Sequence, residues 1–297
     1  DVTKRCLTSL YKASIAIPFE LIVVDDAFDD PLNSESLSIS GIRVLRNEQN
    51  LGFLKSCNKA AAMAKGAYIW LLNNDTFVHP GALEAMLATF DRFGNAGAVC
   101  SKLLFEDGVL QEAGGIVWQD GSAWNWGRGE NSDDPRFNYP RPVDYGSAAS
   151  LLIDVKVWRT LGGFNEQFAP AYYEDTDLCF AIRSLGKQVM YQPRAAVTHY
   201  EGVSHGTDTR SGLKSYQVAN QKKFLEKWSH ELKSHRANGV EPMLERDRGS
   251  SARVLWVEAC ILTPNQDSGS LRTFRLLRIL TKMGCKVTFI ADNLDGA

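Results

Sequence analysis

Apolar runs of strand length alternate along this chain with stretches of helix length, and the early runs end in clusters of polar side chains. Phe19 to Val24 ends in Asp25-Asp26, and Tyr68 to Leu72 ends in Asn73-Asn74-Asp75. Such alternation predicts an α/β sheet rather than a bundle or a sandwich. Carboxylates at the carboxyl ends of its strands sit where open α/β folds hold ligands. A further strand is expected at Ile42 to Leu45, with helices from Phe53 to Lys65 and from Pro80, a residue suited to a first helical turn, to about Phe93. The stretch from Phe105 to Pro142, rich in Gly, Trp, Asn and Pro, predicts strands with a long loop. Then come a strand at Leu151 to Ile153, a helix ending at Gly162-Gly163 and another from Glu174-Asp175-Thr176-Asp177 to about Leu185. A strand at Gln188 to Tyr191 and a turn lead to His199.

A polar, helix-prone stretch from Leu213 to His235 precedes a charged linker at 237–251, so residues 1–236 read as one domain. The pattern restarts over 252–297 with a strand at Arg253 to Val257, a helix at Ser268 to Met283 and a strand at Lys286 to Ile290. One βαβ unit of this size is too small for an independent domain. The chain has no initiator Met and opens inside an amphipathic helix with Leu7, Leu10 and Tyr11 on one face, which reads as a piece of a longer protein.

Charge is balanced, with 33 Lys plus Arg against 35 Asp plus Glu, so no global positive field exists to hold nucleic acid. Partners must be recognised locally. The six cysteines are scattered without a CxxC pair and read as reduced. The run Ala67 to Leu72 falls far short of the roughly 20 residues that span a bilayer. With no signal peptide visible, the cytoplasm is the expected compartment.

Three acidic clusters, Asp25-Asp26, Asn73-Asn74-Asp75 and Glu174-Asp175-Thr176-Asp177, offer what glycosyl transfer from a nucleoside diphosphate-sugar needs. A hard divalent cation, held by oxygen ligands, neutralises the leaving diphosphate, and a carboxylate takes the proton of the acceptor hydroxyl. Each cluster also has a plain structural reading, as a turn, a helix cap or a complement to a helix dipole. Gly52, at a helix-entry turn, offers an amide to a phosphate. Trp118, Trp124, Trp126 and Tyr139 offer flat faces to sugar rings, although loop tryptophans also anchor loops to a core.

The strings Glu20-Leu21-Ile22-Val23-Val24-Asp25-Asp26, Asn50-Leu51-Gly52-Phe53 with Asn58, Leu71-Leu72-Asn73-Asn74-Asp75-Thr76, Gly162-Gly163-Phe164-Asn165-Glu166 and Tyr173-Glu174-Asp175-Thr176-Asp177-Leu178 together resemble family 2 glycosyltransferases over roughly residues 1 to 210. Within that family the likeness is nearest to rhamnosyl- and galactofuranosyl-type enzymes. The resemblance implies the A-type nucleotide-diphospho-sugar transferase fold, a Rossmann-like mixed sheet flanked by helices. It implies that Asp25 or Asp26 contacts a uracil or thymine base, with Asn58, Asn73 and Asn74 at the substrate, where Gly52 and Trp124 are expected from their residue types and places in the chain. Asp75 ends an Asp-x-Asp motif whose first position here is Asn73, and His199 completes the shell of a Mn2+ or Mg2+ ion. Asp175 is the implied general base of an inverting displacement, Glu174 shapes the acceptor pocket, and Asp177 caps or pairs locally.

The expected donor is a UDP- or dTDP-sugar, and the expected acceptor a glycan or lipid-linked hydroxyl in cell-surface polysaccharide synthesis. Peripheral association with the inner face of the membrane is compatible with that, without a residue that encodes it. Thr263-Pro264-Asn265, Asp267-Ser268-Gly269-Ser270 and Arg272 resemble the start of a family 4, B-type glycosyltransferase. The rival expectations are a sugar nucleotidyltransferase and a non-catalytic carbohydrate- or nucleotide-binding module of a larger synthase.

Overall fold

A computed structural model describes residues 2–13, 17–29, 41–200 and 215–293. The chain divides into two compact units, Asp1–Asn238 and Gly239–Ala297. In the first unit the described elements are α1 (Val2–Ala13), β1 (Leu21–Asp25), β2 (Ile42–Arg46), α2 (Gly52–Ala62), β3 (Tyr68–Leu72), β4 (Thr76–Val78), α3 (Ala82–Arg92) and β5 (Ala96–Leu104). They continue with β6 (Leu110–Glu112), β7 (Gly115–Val117), β8 (Ala123–Asn125), β9 (Arg141–Pro142), β10 (Ser150–Asp154), α4 (Val155–Leu161), α5 (Glu174–Ser184), β11 (Gln188–His199), α6 (Ser215–Lys227) and α7 (Ser229–Leu232).

The main sheet runs β3-β10-β5-β11-β4, with β6 added to β5 and β9 to β11. It is mixed: β10 is antiparallel to both β3 and β5, while β5 and β11 are parallel. Successive strand side chains point to opposite faces, and the core divides accordingly. Ala98, Cys100, Leu151 and Ile153 pack with Leu54, Phe164, Leu178 and Phe180 on one side. Val99 and Leu152 pack with Leu83, Met86 and Phe90 on the other. A strand covered on both faces reads as a continuous apolar run, as Leu151-Leu152-Ile153 does.

Two sequence expectations change. The predicted turn before His199 is absent, because β11 continues unbroken from Gln188 to His199. Pro193 cannot donate to a ladder, and the pairing with β5 shifts register between Gln192 and Ala196, which accommodates it as a bulge. Beyond the bulge β11 pairs with β4, a three-residue strand that carries no readable periodicity, and sets His199 opposite Thr76. The segment 237–251 is likewise not wholly extended linker. It contains α8 (Pro242–Arg246), opened by a proline whose fixed φ suits a first helical turn.

The second unit continues with β12 (Arg253–Cys260), α9 (Ser268–Lys282) and β13 (Lys286–Asn293). The two strands pair in parallel, from Arg253 opposite Lys286 to Cys260 opposite Asn293. Exposure alternates along β12, with Leu255 and Val257 open and Val254 and Trp256 half-buried. Asp267 caps α9, accepting from the Ser270 amide at 2.7 Å. Of the stretch Leu213 to His235, the first two residues lie outside the described part.

Candidate active site

The end of β3 and the start of β10 lie side by side, Leu72 opposite Ser150. The Asn73 amide donates to the Ala149 carbonyl at 3.1 Å. The chain then turns through Asn73-Asn74-Asp75, with the Thr76 hydroxyl donating to the Asn73 carbonyl at 2.7 Å. Asn74 is exposed and donates to the Thr3 hydroxyl at 3.1 Å, tying the turn to α1. Asp75 is buried. Its backbone carbonyl accepts from the Tyr200 amide at 2.9 Å, so β11 and the turn are laced together.

The consequence is a close pair of ligand-type atoms. His199 Nε2 lies 3.3 Å from Asp75 Oδ1, and that buried oxygen has no hydrogen-bond partner. Asn73 Nδ2 stands 3.4 Å from the same ring nitrogen. A buried carboxylate oxygen left without a donor is costly, and two such atoms suit adjacent positions around one hard cation, where neighbouring ligands lie about 3 Å apart. The residues present therefore fit a divalent ion.

On the other side of the same strand junction stands α5. Tyr172 and Tyr173, just before it, hold left-handed φ of 73° and 71°, a conformation that non-glycine residues adopt at a cost. Asn220 of α6 is fully buried, and its amide nitrogen lies 2.8 Å from the Phe168 carbonyl and 3.0 Å from those of Ala171 and Tyr172. That bonding holds the strained turn. Asp177 does not cap or pair locally: it accepts from Lys227 Nζ at 2.8 Å and Trp228 Nε1 at 2.7 Å, some fifty residues away. A partner that far along the chain was invisible to local spacing.

Asp175 is partly exposed and Glu174 buried. Asp175 Oδ2 accepts from the Ala148 amide at 3.2 Å, and Oδ1 from the Thr176 amide at 2.7 Å and hydroxyl at 3.2 Å. Buried Glu112 accepts from the Ser147 amide at 3.0 Å. Three successive residues, Ser147, Ala148 and Ala149, thus touch Glu112, Asp175 and Asn73 in turn, which joins the cation-type pair to the carboxyl cluster.

Burial pushes the Asp175 carboxyl above its ordinary range, although its hydrogen bonds pull the other way. Burial, and then the charge of Asp175, push Glu112 and Glu174 up to about 8. A carboxyl raised in the folded state binds its proton where the unfolded chain has already lost it, so stability is full below pH 4 and falls as pH rises toward about 8. Glu112 alone is expected to contribute a slope of about 1.4 kcal/mol per pH unit over that window. Urea unfolding of Glu112→Gln between pH 5 and 8 should therefore show a flatter decline than the parent; parallel curves would dismiss the raised value.

Other predicted substrate residues are occupied elsewhere. Asp25 is buried and bound by Arg46, its cross-strand partner, and by the Phe28 amide at 3.0 Å. Asp26 caps α2 from a distance, accepting from the Leu51 and Gly52 amides at 2.8 Å each and from Asn47 Nδ2 at 2.7 Å. The Gly52 amide is therefore already engaged, by Asp26 and by Asn50 at 3.1 Å, rather than aimed at a phosphate. Asn58 exchanges two 2.8 Å hydrogen bonds with the Phe164 backbone. Gly163 must stay small for this, because a Cβ there would stand 2.5 Å from Asn58 Oδ1. Asn58 thus braces α2 against the Gly163 turn.

Of the aromatic set, Trp118 is fully buried and cannot meet a sugar, while Trp124 on β8 is 42% exposed and packs edge-on against it at 4.9 Å. Gln111, Glu112 and Asn220 escaped the sequence reading. The first two lie in the string Leu110-Gln111-Glu112-Ala113-Gly114-Gly115, which resembles loop more than a buried strand.

A model of glycosyl transferase family 2 matches residues 1–154, just over half of the chain. The chain belongs to glycosyl transferase family 2. Among relatives, an uncharacterized protein y4gI of Sinorhizobium fredii is 30% identical over 219 residues, covering 69% of this chain and 24% of that protein. An N-acetylglucosaminyl-diphospho-decaprenol L-rhamnosyltransferase of Mycobacterium tuberculosis is 26% identical over 240 residues, covering 72% of this chain and 76% of that enzyme. This family 2 chain therefore spans about a quarter of the first relative and three quarters of the second. A solved structure of GalNAc-T7 with UDP, GalNAc and Mn2+ superposes with a TM-score of 0.59 at 16% identity, over 77% of this chain and 46% of that one. The fold is the A-type glycosyltransferase fold, a mixed sheet flanked by helices.

Proposed function

We propose that this chain carries an inverting, divalent-cation-dependent transfer of a sugar from a UDP- or dTDP-sugar to an acceptor hydroxyl in the synthesis of a cell-surface polysaccharide or lipid-linked glycan. One observation carries the reading: hydrogen bonds link the turn Ser147-Ala148-Ala149 to Asp175 and to the Asn73–Asp75 segment, which in turn meets His199. Family membership supports transfer from a nucleotide-sugar, and the relative named as an L-rhamnosyltransferase supports a lipid-linked acceptor. The fold neighbour solved with UDP and Mn2+ supports the ion and the nucleotide class.

Asp75 and His199 would hold Mn2+ or Mg2+, which supplies charge neutralisation to the departing nucleoside diphosphate. Asp175, whose carboxyl burial raises above its ordinary range, takes the acceptor proton as the acceptor oxygen bonds to the anomeric carbon and the bond to the diphosphate breaks on the opposite face. Glu174 and the exposed Trp124 line the acceptor side, while Asn73 and Asn74 stand at the donor. Asp25 and Asp26 shape the base-binding end through the backbone that they hold. Among the described residues no helix is long and apolar enough to cross a membrane; work at the cytoplasmic face would rest on peripheral association. The βαβ unit of β12, α9 and β13 is read as the start of a B-type, family 4 domain, supported by its parallel pairing.

The test is to incubate the chain with a glycan or polyprenyl-diphosphate-sugar acceptor and a panel of UDP-, dTDP- and GDP-sugars with Mn2+, following release of the nucleoside diphosphate. Turnover with a uridine or thymidine donor, stopped by EDTA and restored by Mn2+, is expected, with an inverted anomeric centre by NMR. Chelator-insensitive turnover, or retained configuration, would reject the mechanism. Glycan binding that survives chelation and yields no product would favour a binding module.

A further inference from the structure

We propose that Gln111 is a positioning residue that makes His199 present an unprotonated Nε2 beside Asp75, so that the pair is preset for a divalent cation. The inference rests on the reading of Asp75 and His199 as cation ligands.

Gln111 lies in β6 and is 2% exposed. It meets His199 twice. Its Nε2 lies 3.2 Å from the His199 carbonyl, and its Oε1 lies 2.8 Å from His199 Nδ1. The backbone carbonyl can only accept, so the amide nitrogen must face it, and this removes the usual ambiguity over which end of a glutamine side chain is which. Oε1 therefore faces Nδ1, and since Oε1 can only accept, Nδ1 must carry the hydrogen. In the neutral ring the other nitrogen then holds a lone pair.

That lone pair belongs to Nε2, which stands 3.3 Å from Asp75 Oδ1. Two acceptors face one another at that separation, and Asp75 Oδ1 has no donor of its own. Asn73 Nδ2 at 3.4 Å lies as a donor would toward an unprotonated ring nitrogen. A pair of acceptors held together by the fold repels unless a proton or a metal cation lies between them. The hydrogen bond to the non-ligating ring nitrogen is the means by which proteins fix the tautomer and ring orientation of a metal-binding histidine, and losing it costs about 10–100-fold in metal affinity.

The experiment separates the two readings. In metal-free protein at pH 8, 15N NMR of the imidazole rings, with His199 assigned by comparison with His199→Asn, is expected to show hydrogen on Nδ1. In Gln111→Leu the hydrogen should move to Nε2, and Mn2+ affinity by calorimetry or EPR should fall about 10–100-fold, with the circular dichroism spectrum unchanged. Should the leucine variant fail to fold, Gln111→Met offers an unbranched apolar chain of similar length. Hydrogen on Nε2 in the parent protein, or Mn2+ affinity unchanged within about threefold in both variants, overturns the role of Gln111. A parent protein with hydrogen on Nδ1 that binds no Mn2+ overturns the cation reading instead, and leaves only the tautomer standing.

Discussion

Asp175→Asn is expected to lower turnover by about 10²–10⁴-fold, the range in which a positioned general base contributes, with the donor KM within a few fold of the parent. The substitution keeps volume but only one acceptor oxygen, so the bond from the Thr176 amide can be kept while the Ala148 amide, which bonds to the other oxygen, loses its acceptor. It removes a carboxylate that can take a proton while partly open to solvent. Because burial raises that carboxyl, kcat/KM of the parent should climb with pH through a value above the ordinary carboxylate range, and the climb should vanish in the variant. On stability two effects oppose one another: Glu112 and Glu174 lose a neighbouring negative charge, and the Ala148 amide loses its acceptor. Turnover equal to the parent would eliminate Asp175 as the base.

The second large effect concerns Asp75. Asp75→Asn is expected to weaken Mn2+ binding by on the order of 10²-fold or more, and turnover with it, since a catalytic cation supplies several kcal/mol of charge stabilisation. The stability readout runs the other way. In the parent, Asp75 Oδ1 is buried without a donor, and neutralising it should leave the metal-free variant as stable as the parent or more so. Added Mn2+ should raise the melting temperature of the parent by mass action and leave that of the variant where it was. A parent whose melting temperature ignores Mn2+ would count against a cation at this pair.

The sheet was readable because short apolar runs bounded by polar turn residues are local signals, and β3, β10 and the βαβ restart at Arg253 all announce themselves that way. β4 did not, because three residues carry too little pattern, and it is β4 that sets His199 opposite Thr76. Long-range partners were the harder part to read. Asp25, Asp26 and Asn58 have the types and spacings of ligands and Asp177 those of a local cap, yet partners 21 to 106 positions away bond to them in the fold. Gln111 and Glu112 failed in the opposite sense, as polar side chains in a loop-like string that are buried between strands. Local spacing proposes which residue types come together; only tertiary pairing decides which oxygens remain free.

The three peptides at Ser147, Ala148 and Ala149 act as one fulcrum under both halves of the reaction. An inserted residue there would tilt the proton acceptor and the Asn73 segment together, so neither can be retuned alone from that position. On the proposed reading, room to vary the acceptor lies instead on the short hairpin that carries the exposed Trp124, where a changed side chain leaves the fulcrum level.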